Sequence, residues 1–273
     1  MFKKKIRFIL KFFNFWILKI INLIFTKTSI KILPAISLKE KFNFEFSEQT
    51  RRYIFRKENN NFGKIIFDGS LEETELCKLG RKFRTNKSSL NLYGHRSGYT
   101  SFYNLIFNHF KNKKCFVAEI GIEKNASTKM WRKYFKKATI DCFEIDQHKI
   151  NIARKDHLKN VRYFYIDVSD KKIINKQFKK TKKKYDIIID DSTHLFDHQI
   201  NIILSAYKFL NPGGIMIIED IYKYKKNYTE KKYYEKIKSI KKYFSYCVFV
   251  ETPHINNFTA NWKNEKILLL VKK

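Results

Sequence analysis

The sequence predicts an α/β protein: a Rossmann-like, doubly wound, mostly parallel sheet with an antiparallel C-terminal strand pair, preceded by an amphipathic helix. Three observations lead there. From residue 115 onward, short apolar runs alternate with single helical stretches, which is the rhythm of βαβ units. Nearly every run of that alternation ends in carboxylates. And 273 residues, 44% hydrophobic and 16% aromatic, supply one full-sized core plus an appendage.

The first 27 residues, "MFKKKIRFILKFFNFWILKIINLIFTK", stand apart in composition. On a helix, Arg7, Lys11, Asn14 and Asn22 fall on roughly one face with Lys19 beside them, opposite Phe, Trp and Ile. Such a basic amphipathic helix suits an anionic membrane surface better than a span. Its apolar region is punctured by polar residues and no small-residue cleavage site follows, which argues against a secretory signal. The plainer reading is a helix packed on the protein's own core. Residues 28–69, including "RRYIFRKENNNFGK", read as a connector, and residues 70–273 as the main domain. Ser70 and Glu73 have capping-box spacing and open a predicted helix over "SLEETELCKLGRKF". A second helix is predicted over residues 99–111.

The alternation then begins. "CFVAEI" is a buried strand, "STKMWRKYFKK" a helix, "TIDCFEI" a strand and "QHKINIARKDHL" a helix. "VRYFYI", a lysine-rich helix and "YDIII" follow. The helix "LFDHQINIILSAYKFL", the turn "NPGG" and the strand "IMIIE" complete the run. Single helices of this length between strands imply right-handed crossovers and a parallel sheet covered on both faces. After a charged helix near residues 230–243, "YCVFVE" and "KILLLVKK" are expected to pair antiparallel at one end of the sheet.

A net charge of +31, from 57 Lys and Arg against 26 Asp and Glu, suits an anionic partner: membrane surface, nucleic acid or acidic glycan. The lysines are scattered, however, and Lys, Asn, Ile, Phe and Tyr are high together, as A/T-rich codons produce. Charge alone assigns no function. Cys77, Cys115, Cys142 and Cys247 form no CxxC pair. Buried thiols in a reducing, cytoplasmic setting are expected, which excludes a disulfide scaffold or a cysteine zinc site.

In a parallel sheet the strand C-termini share one edge. Glu119 and Gly121 stand there after the first strand, Glu144 and Asp146 after the second, and Asp167 after the third. Asp190, Asp191 and His194 follow the fourth, and Glu219 and Asp220 the fifth. Solvated strand ends explain one or two such acids, hardly all five sets. Gly121 would let a cofactor approach the backbone, and an acid closing the second strand would hold ribose hydroxyls. A dinucleotide site would show GxGxxG, whereas a single glycine stands here. Asp191, Glu219 and Asp220 offer carboxylate oxygens to one divalent ion, and hard ligands without cysteine favour Mg²⁺, Mn²⁺ or Ca²⁺ over zinc. Left uncompensated the cluster would be costly, which argues for a bound cation or an external positive charge. A divalent ion lowers the pKa of a nearby hydroxyl, and His194 stands where it could take the proton. The plainer reading of His194 is a helix cap, and His198, one turn later, is expected to be structural.

These residues carry a resemblance. From about residue 80 to the end, the chain resembles class I S-adenosylmethionine-dependent methyltransferases. In particular it is similar to metal-dependent sugar O-methyltransferases of the mycinamicin and macrocin type and their cephalosporin-hydroxylase-like relatives. The matching pieces are "AEIGIEKNASTKMWRKYFKKATIDCFEID", "DIIIDDSTHLFDHQ" and "NPGGIMIIED". The resemblance implies that Glu119 and Gly121 line the methionine moiety, Glu144 the ribose and Asp167 the adenine side. It further implies Mg²⁺ on Asp191, Glu219 and Asp220, with His194 as general base. "RTNKSSLNLYGHRSGYTSFYNLIF" resembles the family's threonine-acid-lysine segment that helps close the cofactor pocket, with Asn86 where the acid usually stands. Glu123 and Asn125 occupy positions where glycines are commoner.

The activity so implied is methyl transfer to a hydroxyl of a sugar, glycan or glycolipid. It would take place in the cytoplasm, peripheral on the inner membrane face if residues 1–27 bind there, and is compatible with an oligomer. Two other readings compete. A nucleic-acid methyltransferase would use the basic surface, but the sequence shows no RNA-binding module or aromatic-basic stripe. A non-catalytic membrane-surface binding protein on a methyltransferase fold would suit the thin glycine loop, yet leaves the metal and base residues unexplained.

Overall fold

Nine strands form one sheet among the described residues of the computed structural model, which are 56–57, 63–70, 72–258 and 263–273. The N-terminal helix expected over residues 1–27 lies outside them, as does most of 28–69. In chain order the strands are β1 Arg56–Lys57, β2 Gly63–Ile66, β3 Phe116–Ile120, β4 Thr139–Glu144 and β5 Val161–Tyr165. They continue with β6 Tyr185–Asp190, β7 Leu210–Ile218, β8 Phe244–Glu251 and β9 Lys266–Lys272. The α-helices are α1 Glu75–Phe83, α2 Tyr99–Phe107, α3 Ala126–Tyr134, α4 Gln147–Arg154, α5 Lys171–Lys180, α6 Phe196–Ala206 and α7 Glu230–Ile237.

In space the strands run β1-β2-β8-β9-β7-β6-β3-β4-β5. From β7 to β5 every pairing is parallel, as the alternating pattern predicts. β9 is antiparallel to both β7 and β8, so β8 runs with the parallel set, and β2 pairs parallel with β8. The C-terminal pair is therefore antiparallel, as expected, but it does not end the sheet. β2, from the stretch read as a connector, lies beyond it. The reason is in the apolar content of β8, the strand that β2 covers: Cys247, Val248, Phe249 and Val250 are all buried, and a run apolar on both faces belongs inside a sheet.

Alternation along the strands separates two cores. Ala118, Ile188, Met216, Ile218, Phe249 and Leu268 face α5, α6 and α7. Their neighbours Val117, Ile187, Ile217, Val248 and Ile267 share the other core with Leu76 of α1, Phe102 of α2 and Trp131 of α3. Period-two alternation with both faces apolar is what a doubly wound sheet requires. All four cysteines are buried and free, as expected.

Four of the described α-helices start on a short polar cap, and the first does not use the one expected. Thr74, not Ser70, caps α1 by accepting from Cys77 N at 3.2 Å. Ser70 Oγ donates to Asp68 Oδ1 and accepts from Ile255 N instead, which ties the segment before α1 to the loop after β8. Asp146, one of the acids at the carboxyl edge, caps α4 through His148 N and Lys149 N. Between β3 and β6 the chain reverses its direction of travel across the sheet. Ligands of open α/β sheets bind outside the strand carboxyl ends at such a switch point.

Candidate active site at the carboxyl edge of the sheet

The exits of β3 and β6 are locked together at the switch point. Asp191 N donates to Ile120 O at 2.8 Å, while Gly121 N donates to Phe143 O of β4 at 2.8 Å and ties the β3 exit to its other neighbour. Gly121 has φ +86°, and a Cβ there would lie 2.2 Å from the Asp191 carbonyl oxygen. The glycine is thus demanded by a left-handed turn and by the approach of one protein loop to another. The atoms that such a Cβ would meet belong to Asp191 and Ser192 at the β6 exit.

After β6 the chain turns twice before α6. Asp190 is buried and accepts from Ser192 N at 3.1 Å and Ser192 Oγ at 2.6 Å. Asp191 comes next, and His194 adopts φ +58°. That left-handed turn, rather than the first turn of α6, swings the imidazole back to the sheet edge. Leu195 occupies the N-cap position, so His194 is not a helix cap. Its Nε2 lies 3.5 Å from Asp220 Oδ2 and 3.9 Å from Asp191 Oδ1. Asp191, His194 and Asp220 can each offer a ligand atom, all within 4.8 Å of one another. His198 pairs through Nδ1 with Thr193 Oγ1 at 2.9 Å and so braces the loop that carries His194.

Glu219 stands beside this trio but faces inward. One oxygen meets Lys87 Nζ at 2.5 Å and the other accepts from Tyr103 OH at 2.8 Å. Lys87 Nζ also lies 2.5 Å from Asp191 Oδ2, and its side chain is 1% exposed, like that of Glu219. Burial alone would lower the Lys87 pKa, but Asp191 and Glu219 outweigh it and hold the ammonium above its ordinary range. Burial pushes Glu219 well above the usual carboxylate range, with Lys87 pulling it back. Burial raises Asp220 too, opposed by His194. Tyr99 OH donates to Asp220 Oδ1 at 2.7 Å. Lys87, Tyr99 and Tyr103 were not singled out in the sequence. Their partners are 104, 121 and 116 residues away in the chain, and the only local signal is Lys87 in the threonine-acid-lysine resemblance.

The other sequence-predicted residues lie at the exits of β3, β4 and β5. Glu119 is fully buried, its carboxylate accepting from Thr128 Oγ1 at 2.7 Å and Trp131 Nε1 at 2.9 Å, so it turns into α3. Burial raises its pKa while Lys87 and Thr128 oppose the shift. Glu144 accepts from Ile122 N and Glu123 N on one oxygen and from Ile145 N and Asp146 N on the other. It therefore orders both the loop after β3 and its own exit. Asp167 is half-buried and accepts from Ser169 Oγ at 2.7 Å and Ser169 N at 2.9 Å, which holds its carboxyl below the usual range.

Asp190 gives a pH test of this geometry. Burial pushes its carboxyl up from 3.8 to about 6. Because the folded value is the higher one, the native state loses stability as pH climbs from 3.8 to about 6, by about 3 kcal/mol. Asp190→Asn keeps the acceptor for Ser192 without the ionisation. Its melting temperature is expected to gain on wild type between pH 4 and pH 8. A constant difference across that range in calorimetric scans would count against a buried, ionising Asp190.

No protein-family model matches the chain. It is 24% identical over 201 residues to mycinamicin VI 2''-O-methyltransferase of Micromonospora griseorubida, covering 70% of this chain and 46% of that one. It is 24% identical over 157 residues to demethylmacrocin O-methyltransferase of Streptomyces fradiae, covering 54% of this chain and 36% of that one. A third relative, the 8-demethyl-8-alpha-L-rhamnosyl tetracenomycin-C 2'-O-methyltransferase of Streptomyces olivaceus, is 26% identical over 132 residues, 45% of this chain and 33% of that one. The chain thus spans less than half the length of these curated relatives. Among solved structures, the MycE methyltransferase with Mg, SAH and mycinamycin VI superposes with a TM-score of 0.54 at 18% identity, over 74% of this chain and 55% of that one. The chain has the Rossmann-like fold of class I methyltransferases. The resemblance read in the sequence, to sugar O-methyltransferases of the mycinamicin and macrocin type, is the one these comparisons return.

Proposed function

We propose that the chain is an S-adenosylmethionine-dependent, Mg²⁺-dependent O-methyltransferase acting on a hydroxyl of a sugar, glycan or glycolipid. The observation that carries this reading is the convergence of Asp191, His194 and Asp220 at the switch point of a methyltransferase fold. The relatives' names support the acceptor class, one of them specifying a rhamnosyl group.

The donor set fits Mg²⁺: Asp191 Oδ1 and Asp220 Oδ2 are hard oxygens turned toward one another's side of His194, with Glu219 adjacent. When bound, Mg²⁺ would acidify an acceptor hydroxyl, and S-adenosylmethionine would supply an already activated methyl group. The rest falls to the chain. His194 Nε2 takes the hydroxyl proton, and the carboxylates on either side stabilise the imidazolium. Tyr99 and Tyr103 fix Asp220 and Glu219 through their hydroxyls. Glu144 holds the loop after β3 in shape and accepts the ribose hydroxyls, with Gly121 and Asp167 on either side of it along the edge. Glu119 is turned into α3, where Thr128 and Trp131 donate to it.

The basic residues among 1–27 would set such an enzyme against an anionic membrane surface. No helix among the described residues is long and apolar enough to cross a membrane. The direct test of the function is methyl transfer from radiolabelled S-adenosylmethionine to rhamnosylated and other glycosylated acceptors. No transfer, together with no calorimetric binding of S-adenosylhomocysteine, would sink it.

Glu144→Gln probes the cofactor half separately. An amide cannot accept on both atoms, so it weakens the ribose contacts and part of the backbone cradle. The S-adenosylhomocysteine dissociation constant is expected to rise about tenfold or more, the scale of charge-assisted hydrogen bonds. Unchanged affinity by calorimetry would remove Glu144 from the site.

A further inference from the structure

The unusual group at this edge is Lys87. A buried ammonium bridges Asp191 Oδ2 and Glu219 Oε2 at 2.5 Å each. Tyr103 occupies the other Glu219 oxygen and Tyr99 the Asp220 Oδ1. The two oxygens that turn to His194 are therefore Asp191 Oδ1 and Asp220 Oδ2. Three acids so close would repel one another strongly in a buried place, and breaking a buried pair by removing one partner is costly. Lys87 supplies one positive charge where they need it most.

A divalent ion on Asp191 Oδ1 and Asp220 Oδ2 would share the Asp191 carboxylate with Lys87 and lie beside Glu219, and two cations a few ångströms apart repel. We propose that Lys87 is a tethered counter-cation: it keeps the three-acid site assembled without metal and competes with a divalent ion for Asp191 and Glu219. The inference rests on the metal-dependent reading above and deepens it, since it concerns how the site regulates its own loading. It follows that metal binds weakly in the wild type, and that the metal-free site needs no ion to stay folded. Removing the ammonium reverses both properties.

The test uses the full chain with MnCl₂ as the probe. Free Mn²⁺ is followed by electron paramagnetic resonance, and melting is recorded in chelator and in Mn²⁺. For Lys87→Met, the Mn²⁺ dissociation constant is expected to fall at least about tenfold. Its melting temperature should drop in chelator and recover toward wild type in Mn²⁺. The double variant Lys87→Met with Glu219→Gln removes both charges of the pair, so it should melt near wild type in chelator and lose the tighter Mn²⁺ binding. A Lys87→Met protein that binds Mn²⁺ no tighter than wild type overturns the proposal, as does one that stays unfolded even with Mn²⁺ present. If wild type and variant both ignore Mn²⁺, the metal-dependent reading falls, and the proposal with it. Binding by wild type without a gain in the variant removes the proposal alone.

Discussion

His194→Ala is expected to slow single-turnover methyl transfer by roughly 10²–10⁴-fold, the usual contribution of a positioned general base. Nε2 lies between Asp220 Oδ2 and Asp191 Oδ1, on a residue held in a left-handed turn at the switch point. An imidazole placed there can receive a proton and be stabilised by two carboxylates once charged. The opposing possibility is that His194 is a metal ligand, since its nitrogen belongs to the same trio. The two roles separate cleanly. A base lost leaves Mn²⁺ and S-adenosylhomocysteine affinities near wild type, and added imidazole restores part of the rate. A ligand lost weakens Mn²⁺ binding in step with turnover. His198→Ala, which removes only the contact to Thr193, should cost far less rate and more thermal stability. Wild-type turnover in His194→Ala would put the base elsewhere.

Chelation is expected to abolish turnover and Mg²⁺ to restore it, with Asp191→Asn lowering the rate by about 10²-fold or more, consistent with several kcal/mol of lost charge stabilisation. Asp191 is the informative position because its two oxygens do different things. Oδ1 turns toward His194, whereas Oδ2 meets Lys87. In the variant Lys87 keeps Glu219 as its charged partner, so the fold should survive. The measurement is initial rate against added Mg²⁺, beside a melting curve in chelator. The variant should need far more Mg²⁺ while melting within a few degrees of wild type. Full activity in excess chelator, for either protein, rules out metal dependence.

Much of the fold was legible because its strands are apolar on both faces. "FVAEI", "TIDCFE" and "YDIII" are runs that only a covered sheet can bury, and their spacing sets the parallel order. The acids closing those strands were legible for the same reason: a polar group after an apolar run marks where the sheet stops. What lay hidden was set by contacts distant in the chain. The position of β8 inside the sheet depends on β2, four residues long in a weakly patterned stretch. The left-handed turn at His194 has no glycine to announce it. Lys87 is one of 57 basic residues, and beyond its place in the threonine-acid-lysine resemblance its neighbours do not tell that it is buried between two carboxylates. Glu119 and Glu144 were visible as edge acids, yet nothing local announces that Glu119 bonds to α3 and Glu144 to the backbone of two loops.

The place of β9 has a consequence for how the chain must be assembled. β8 and β2 have no hydrogen bonds to β7; β9 is the tie between those two blocks, and it is made after both. A nascent chain that has passed Glu251 but not Lys272 therefore carries two half-sheets, each with a long apolar edge unpaired. Such edges are templates for the wrong partner, including the edges of other copies. Insertion of Ile267–Leu270 closes both at once, so the last in chain order of the nine described strands acts as a keystone. Until it arrives, the growing polypeptide is at its most exposed to chaperones and to misassociation.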